Sequence, residues 1–212
     1  SCIVQGLVVN GEIAKEGNPG DKVQVILDST SFYGESGGQI GDCGVLATSC
    51  LDREETLVEI KTVTRNRNIF VHSGSIKRGT LKVGDAVDSR VNQMSRRRAQ
   101  ANHTATHLLQ SALKQVVDKD ISQAGSLVNF DRLRFDFHSS RSVTSTELDQ
   151  IEKLINGWIA DSYLLEVQEM GIEDAKEIGA VAMFGEKYGD VVRVVDVPGV
   201  SMELCGGTHV AN

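Results

Sequence analysis

Ser95-Arg96-Arg97-Arg98-Ala99-Gln100-Ala101-Asn102-His103-Thr104-Ala105-Thr106-His107-Leu108-Leu109-Gln110-Ser111-Ala112-Leu113-Lys114-Gln115-Val116-Val117 is the stretch where the chain changes character. Ala101, Ala105, Leu108, Leu109, Ala112, Leu113 and Val116 recur at helical spacing, so the pattern predicts one long helix from Ser95 to about Val117. Nothing upstream has that period. Lys22-Val23-Gln24-Val25-Ile26-Leu27 largely alternates apolar and polar residues, as a half-buried strand does. Leu57-Val58-Glu59-Ile60 and Ile69-Phe70-Val71-His72 are further strand candidates, with turn chemistry at Asn18-Pro19-Gly20-Asp21 and Val83-Gly84-Asp85. Short strands, regular turns and no helix predict a small β-barrel-like subdomain over residues 1–91.

Downstream of the helix, Gln123–Val128 and Arg132–Phe137 read as two strands around the turn Asn129-Phe130-Asp131. Thr144 with Glu147 three residues on is a capping box, opening a second helix through Ile151, Leu154, Ile155 and Ile159. Leu164–Val167 and Val191–Val197 read as strands, so residues 92–212 are expected to form an α+β subdomain and the chain as a whole is α+β.

Composition narrows the function. With 212 residues, the chain is long enough to bury a sizeable core. Its 40% apolar and 24% charged residues are ordinary for a globular protein. No stretch approaches the roughly 18 apolar residues of a membrane span. A formal net charge of -7 argues against a protein that coats nucleic acid without specificity. Local basic clusters remain: Arg96-Arg97-Arg98, and more loosely Arg65, Arg67, Lys77 and Arg78. Such residues are either solvated or placed to hold a polyanion. Four cysteines are too few for a secreted disulfide scaffold, so Cys2, Cys43 and Cys50 are expected as thiols in a reducing compartment. The start Ser1-Cys2-Ile3-Val4, with no initiator Met or signal-peptide pattern, reads as a fragment of a longer protein or a processed chain.

Within the long helix, His103 and His107 stand four residues apart, which at 100° per residue puts both imidazoles on one face, one turn apart. Thr104 and Thr106 flank that face and Ala105 points away from it. Far along the chain, Cys205-Gly206-Gly207-Thr208-His209 offers a thiolate and a third imidazole on a glycine-rich turn. Either pair alone is weak evidence. Together they use three of the five histidines and supply a donor set suited to one zinc ion. Four protein ligands suggest a closed structural site, whereas placing two of them on a helix that needs no metal to form suggests a catalytic one, so both readings stay open.

The second unusual stretch, Thr30-Ser31-Phe32-Tyr33-Gly34-Glu35-Ser36-Gly37-Gly38-Gln39-Ile40-Gly41-Asp42, is either a plain strand connection or a substrate loop. In the second reading Gly37 and Gly38 let backbone approach a ligand closely, and Thr30 and Gln39 offer it polar groups. A third run, Met183 to Asp190, leads into the Val191 strand.

Taken in order, these pieces resemble the editing domain of alanyl-tRNA synthetase. The matching segments are Thr30–Asp42, His103–His107 with Leu108-Leu109, Gly125–Val128, Arg132–Phe137, Phe184–Asp190 with Val191–Val195, and Glu203–Val210. The resemblance implies a barrel-like subdomain followed by a zinc-holding α+β subdomain, and hydrolysis of the ester joining serine or glycine to the tRNA for alanine. By it, His103, His107, Cys205 and His209 align with the ligands of one Zn2+. Thr30 and Gln39 fall in the amino-acid pocket beside Gly37 and Gly38, and Thr106 and Gln39 in the catalytic neighbourhood. Arg96, Arg97 and Arg98 would hold the acceptor end by phosphate contacts. Expected partners are the tRNA(Ala) acceptor end and the aminoacylation and C-terminal domains of a parent synthetase, working in the cytoplasm or in a plastid or mitochondrion.

Physical logic supports such an activity. A synthetic site for alanine cannot readily exclude smaller glycine, and it rejects an added hydroxyl weakly, so a second hydrolytic site is needed. That site spares alanine if it is built to hydrogen-bond the serine hydroxyl, because alanine leaves its polar groups unpaired. Two rivals remain: a freestanding editing deacylase acting in trans, and a zinc-stabilised RNA-binding module without catalysis. A zinc hydrolase of small esters or peptides lacks the usual Glu beside the first His, since Thr104 stands there.

Overall fold

A computed structural model describes residues 1–48, 55–182 and 188–212. The chain divides into two compact units, one of residues 1–36 and 40–96, the other of residues 37–39 and 97–212.

Among the described residues the first unit carries nine strands: β1 (Cys2–Val9), β2 (Glu12–Ala14), β3 (Glu16–Gly17), β4 (Lys22–Leu27), β5 (Gly44–Ala47), β6 (Leu57–Asn66), β7 (Ile69–Arg78), β8 (Leu81–Lys82) and β9 (Ala86–Val91). Six of them run in the order β1-β4-β7-β6-β5-β9, and β9 returns to β1 through Cys2 opposite Val87, which closes the barrel. Closure leaves these six strands no free edge to template aggregation. The alternation visible in the sequence is what fills the interior: Val23 and Val25 of β4 are buried while Lys22 and Gln24 are exposed. They pack with Val4, Leu7, Val58, Ile60, Val63, Ile76 and Val87. The candidate strands at 57–60 and 69–72 prove to be the starts of two ten-residue strands.

The second unit is built round α1 (Gln93–Val116), whose first residues belong to the barrel unit. Asn92 caps it, its Oδ1 accepting from the Ser95 N–H at 3.1 Å. Then follow β10 (Ser122–Val128), β11 (Leu133–His138), α2 (Ser145–Asp161), β12 (Glu166–Gly171), α3 (Ile172–Glu177), β13 (Val191–Val197) and β14 (Ser201–Leu204). The β10–β11 hairpin and α2 close a core of Ala112, Leu113, Ile121, Phe135 and Ile151 with α1. The sheet β12-β13-β14 packs Val192, Val194 and Leu204 against Ala175 of α3. The capping box is present: the Glu147 N–H donates to Thr144 Oγ1 at 3.2 Å and the Thr144 N–H to the Glu147 carboxylate at 2.9 Å.

In the second unit three elements differ from the sequence reading. The strand expected at Leu164–Val167 lies at Glu166–Gly171, because antiparallel pairing with β13 runs from Glu166–Asp196 to Gly171–Val191. Leu164 is exposed instead, and the Leu165 N–H donates to the Ala211 carbonyl. Helix α3 is six residues long and buries Ala175 alone, too short to show a period. Strand β14 was not anticipated, since its four residues run straight into the Cys205 turn. Cys50 and residues 183–187 of the Met183–Asp190 run lie outside the described residues.

Candidate metal centre

The central helix decides the site. α1 is buried on several sides, so His103, Thr104, Thr106, His107 and Gln110 all lose solvent and must find partners inside the protein. The turn after β14 brings Cys205 and His209 to them, and one donor atom from each of His103, His107, Cys205 and His209 lies within 4.8 Å of the others. Cys205 Sγ is 3.4 Å from His103 Nε2 and 3.2 Å from His209 Nε2. A tetrahedral zinc with ordinary bond lengths spaces such donors about 3.5 Å apart.

Burial first, and then the neighbouring His107 and the Arg193 guanidinium, hold His103 down to about 3. Burial and Arg193 likewise hold His107 down to about 4. His209 is pushed down by burial, by both other histidines and by Arg193. All three rings are therefore neutral at pH 7, the form that presents a lone pair to a metal. His107 Nδ1 is buried with no hydrogen-bond partner among the described residues. An unpaired buried acceptor costs about 1–3 kcal/mol, and a cation would remove that cost. The donor chemistry, the spacing and this orphaned nitrogen all fit a zinc ion.

The loop that carries Cys205 is fixed by a residue the sequence reading passed over. Arg193, a charged residue inside the apolar run of β13, donates through Nη1 to the Cys205 carbonyl at 2.8 Å and the Gly207 carbonyl at 2.7 Å. The Gly207 N–H in turn donates to Cys205 Sγ at 3.4 Å. Glu203 was also missed. It is buried, its Oε2 lies 3.7 Å from His107 Nε2, and burial pushes its carboxyl up to about 7. A neutral imidazole thus faces a carboxyl group, which is a polar contact and not an ion pair. The available signal was an acidic residue inside the apolar approach to Cys205.

Gln39 belongs to the same unit as these four residues and is wholly buried. Its Oε1 lies 2.7 Å from His103 Nδ1 and accepts from the Thr208 N–H at 2.9 Å, while its Nε2 donates to Thr208 Oγ1 at 2.8 Å. Gly37 and Gly38 have φ of 56° and 81°, and a Cβ on Gly38 would stand 2.8 Å from the Ser126 carbonyl oxygen. The Gly38 carbonyl accepts from the Val128 N–H at 2.8 Å, so the glycines attach this short segment to β10. Thr104 Oγ1 is 3.1 Å from His209 Nδ1. Thr106 is buried and donates its hydroxyl proton to the Asn102 carbonyl, one helical turn back, at 2.8 Å.

Thr30 lies in the barrel unit. His72 Nδ1 is 2.9 Å from the Val25 carbonyl, which only accepts, so Nδ1 carries the proton and Nε2 accepts from Thr30 Oγ1 at 2.8 Å. Burial lowers His72 and keeps it neutral, which makes this tautomer durable. Thr30 Oγ1 accepts in turn from the Phe32 N–H at 3.1 Å. The three arginines separate. Arg96 donates from Nε to buried Asp42 at 3.0 Å and from Nη2 to the Ser31 carbonyl at 3.0 Å. Arg97 and Arg98 are exposed, with no ion pair among the described residues.

Comparison with known proteins gives first the class. A family model described as tRNA synthetases class II (A) matches residues 1–95, and one described as Threonyl and Alanyl tRNA synthetase second additional domain matches residues 192–212. The alanine–tRNA ligase of Prochlorococcus marinus (strain MIT 9303) is 67% identical over 211 residues, 100% of this chain and 24% of that protein. That of Synechococcus sp. (strain WH7803) is 68% identical over 212 residues, again 100% of this chain and 24% of the relative. The chain belongs to the alanine–tRNA ligase family. It spans about a quarter of the length of these curated relatives.

Proposed function

We propose that this chain is the editing domain of an alanine–tRNA ligase, which hydrolyses the ester of seryl- or glycyl-tRNA(Ala) and spares alanyl-tRNA(Ala). The observation that carries the reading is the buried His103–His107–Cys205–His209 cluster, set in a chain that matches alanine–tRNA ligases from end to end. A zinc ion held by these four residues would supply a Lewis acid able to polarise a carbonyl or lower the pKa of water to about 7.

The chain's own residues would do the rest. The neutral imidazoles and the thiolate bind the ion, and Arg193 holds the turn that presents Cys205. The Thr106 hydroxyl proton is committed to Asn102, so its oxygen is left as an acceptor that orients water. Thr30 gives its proton to His72 and accepts from the Phe32 N–H, leaving one lone pair for the hydroxyl of a serine. Alanine would leave that lone pair unpaired, which is the physical basis for sparing it. Arg97 and Arg98 are the cations offered to the acceptor-end phosphates of tRNA(Ala). The aminoacylation and C-terminal domains of the parent synthetase are the proposed protein partners.

The test is hydrolysis of seryl-tRNA(Ala) by the 212-residue chain, with alanyl-tRNA(Ala) as control, before and after chelation and zinc restoration. Zinc-dependent loss of serine with alanine retained is expected. A folded, zinc-loaded chain that leaves the seryl ester intact would overturn the reading.

A further inference from the structure

Each imidazole of the cluster has one nitrogen beside a polar side chain of a different residue. The best defined case is His103. The Thr208 backbone N–H can only donate, and it points at Gln39 Oε1 at 2.9 Å, so that atom is the amide oxygen. The opposite amide atom, Nε2, donates to Thr208 Oγ1 at 2.8 Å, which agrees. His103 Nδ1 meets the same oxygen at 2.7 Å and must therefore carry the ring proton. Its Nε2 lone pair is left on the side of Cys205 Sγ, 3.4 Å away. Gln39 thereby ties one ligand-bearing element, α1, to the other, the Cys205–His209 turn. Gly207 makes room for the bond, because a Cβ there would strike the His103 ring and lie 3.0 Å from Gln39 Oε1.

His209 and His107 each have a polar side chain beside one ring nitrogen. Thr104 Oγ1 accepts from the Val210 N–H at 3.3 Å and lies 3.1 Å from His209 Nδ1, while His209 Nε2 is 3.2 Å from Cys205 Sγ. Glu203 Oε1 accepts from Ser201 Oγ at 2.9 Å, which fixes the carboxyl with its Oε2 3.7 Å from His107 Nε2. The other nitrogen of His107, Nδ1, is buried without a hydrogen-bond partner among the described residues.

We propose that Gln39, Thr104 and Glu203 are positioning residues of the metal centre, one beside each imidazole, which hold the rings so that each histidine offers its other nitrogen, with Gln39 also fixing the His103 tautomer. His103 and His209 offer Nε2, and His107 offers Nδ1. The inference rests on the zinc reading above, and it makes Gln39 a residue that acts through His103, since Oε1 already accepts twice and the side chain has no solvent access. Such outer partners set ligand orientation, and their loss weakens metal binding by about 10–100-fold.

The test compares zinc affinity, by competition with a chromogenic chelator, and the visible spectrum of the cobalt(II)-substituted chain. Variants are Gln39→Leu, Gln39→Glu, Glu203→Met and Glu203→Gln, with far-UV circular dichroism to report folding. Gln39→Leu and Glu203→Met should bind zinc roughly 10–100-fold more weakly and shift the cobalt bands. Gln39→Glu and Glu203→Gln keep an acceptor at the same place and should stay within a few-fold of the parent. Parent-like affinity in Gln39→Leu and Glu203→Met, or a loss in Gln39→Glu as large as in Gln39→Leu, overturns the proposal. So does a Gln39→Leu chain that keeps its zinc affinity while losing discrimination between seryl and alanyl esters, because Gln39 would then read the substrate directly. If Gln39→Leu fails to fold, Glu203→Met against Glu203→Gln decides the matter. A parent chain that binds no zinc would instead overturn the metal reading itself.

Discussion

At the scale of single residues, the chemistry turns on where protons are parked. Thr30 hydroxyl acts as an acceptor because His72, tied to the Val25 carbonyl, can only accept from it. Thr30→Val removes that acceptor, and clearance of seryl-tRNA should fall about tenfold, the worth of one neutral hydrogen bond, with glycyl-tRNA clearance changed less. Single-turnover rates on the two substrates measure this, and equal losses would remove Thr30 as the hydroxyl reader. Arg97 and Arg98 are exposed, with no ion pair among the described residues, unlike Arg96 with its grip on Asp42. Arg97→Ala and Arg98→Ala should each weaken tRNA binding and lower the slope of log affinity against log salt by about 1. Filter binding across a salt series tests it, and an unchanged slope would place those side chains off the RNA.

At the scale of elements, α2 shows how a local sequence signal becomes stability. Thr144→Ala removes the side chain that accepts from the Glu147 N–H, and should cost about 1 kcal/mol in urea unfolding. The same box is acid-sensitive. The Arg141 side chain first, and then the Thr144 N–H, hold the Glu147 carboxyl down to about 2 from its ordinary 4.5. A carboxyl lowered by folding stabilises above its unfolded value, so this contribution is present above about pH 4.5 and is lost as pH falls toward 2. Arg141→Ala should flatten the acid limb of the stability profile over that window, and an unaltered profile would show that the pair contributes nothing.

At the scale of the whole molecule, the two units should answer metal removal differently. The four candidate ligands all belong to the unit of residues 37–39 and 97–212. A ligand bound only by the native state adds about 2.7 kcal/mol at 100 times its dissociation constant. Chelation should therefore raise amide exchange around residues 103–107 and 203–209 and leave the β1, β4 and β7 amides of the barrel protected. Equal loss of protection in the barrel strands would mean that zinc holds the entire chain together.

What the sequence determined by itself was whatever lies within one or two turns of the backbone. Period-2 alternation in Lys22–Leu27, the helical period through Ala112 and the Thr144–Glu147 box are all local and each appears where expected, and the His103/His107 and Cys205/His209 pairs, local in themselves, come together in one cluster. Propensity and spacing act over a few residues, so one chain carries that information openly. Tertiary structure alone decided which side chain completes which. Gln39 meets Thr208 across 169 positions and His103 across 64, and Thr104 meets His209 across 105. The reach of Arg193 to the Cys205 turn, the hold of His72 on Thr30 and the place of Glu203 beside His107 likewise have no local period to betray them. They exist because burial strips water from these polar groups, and the folded chain then obliges each to find its partner wherever the backbone has brought one.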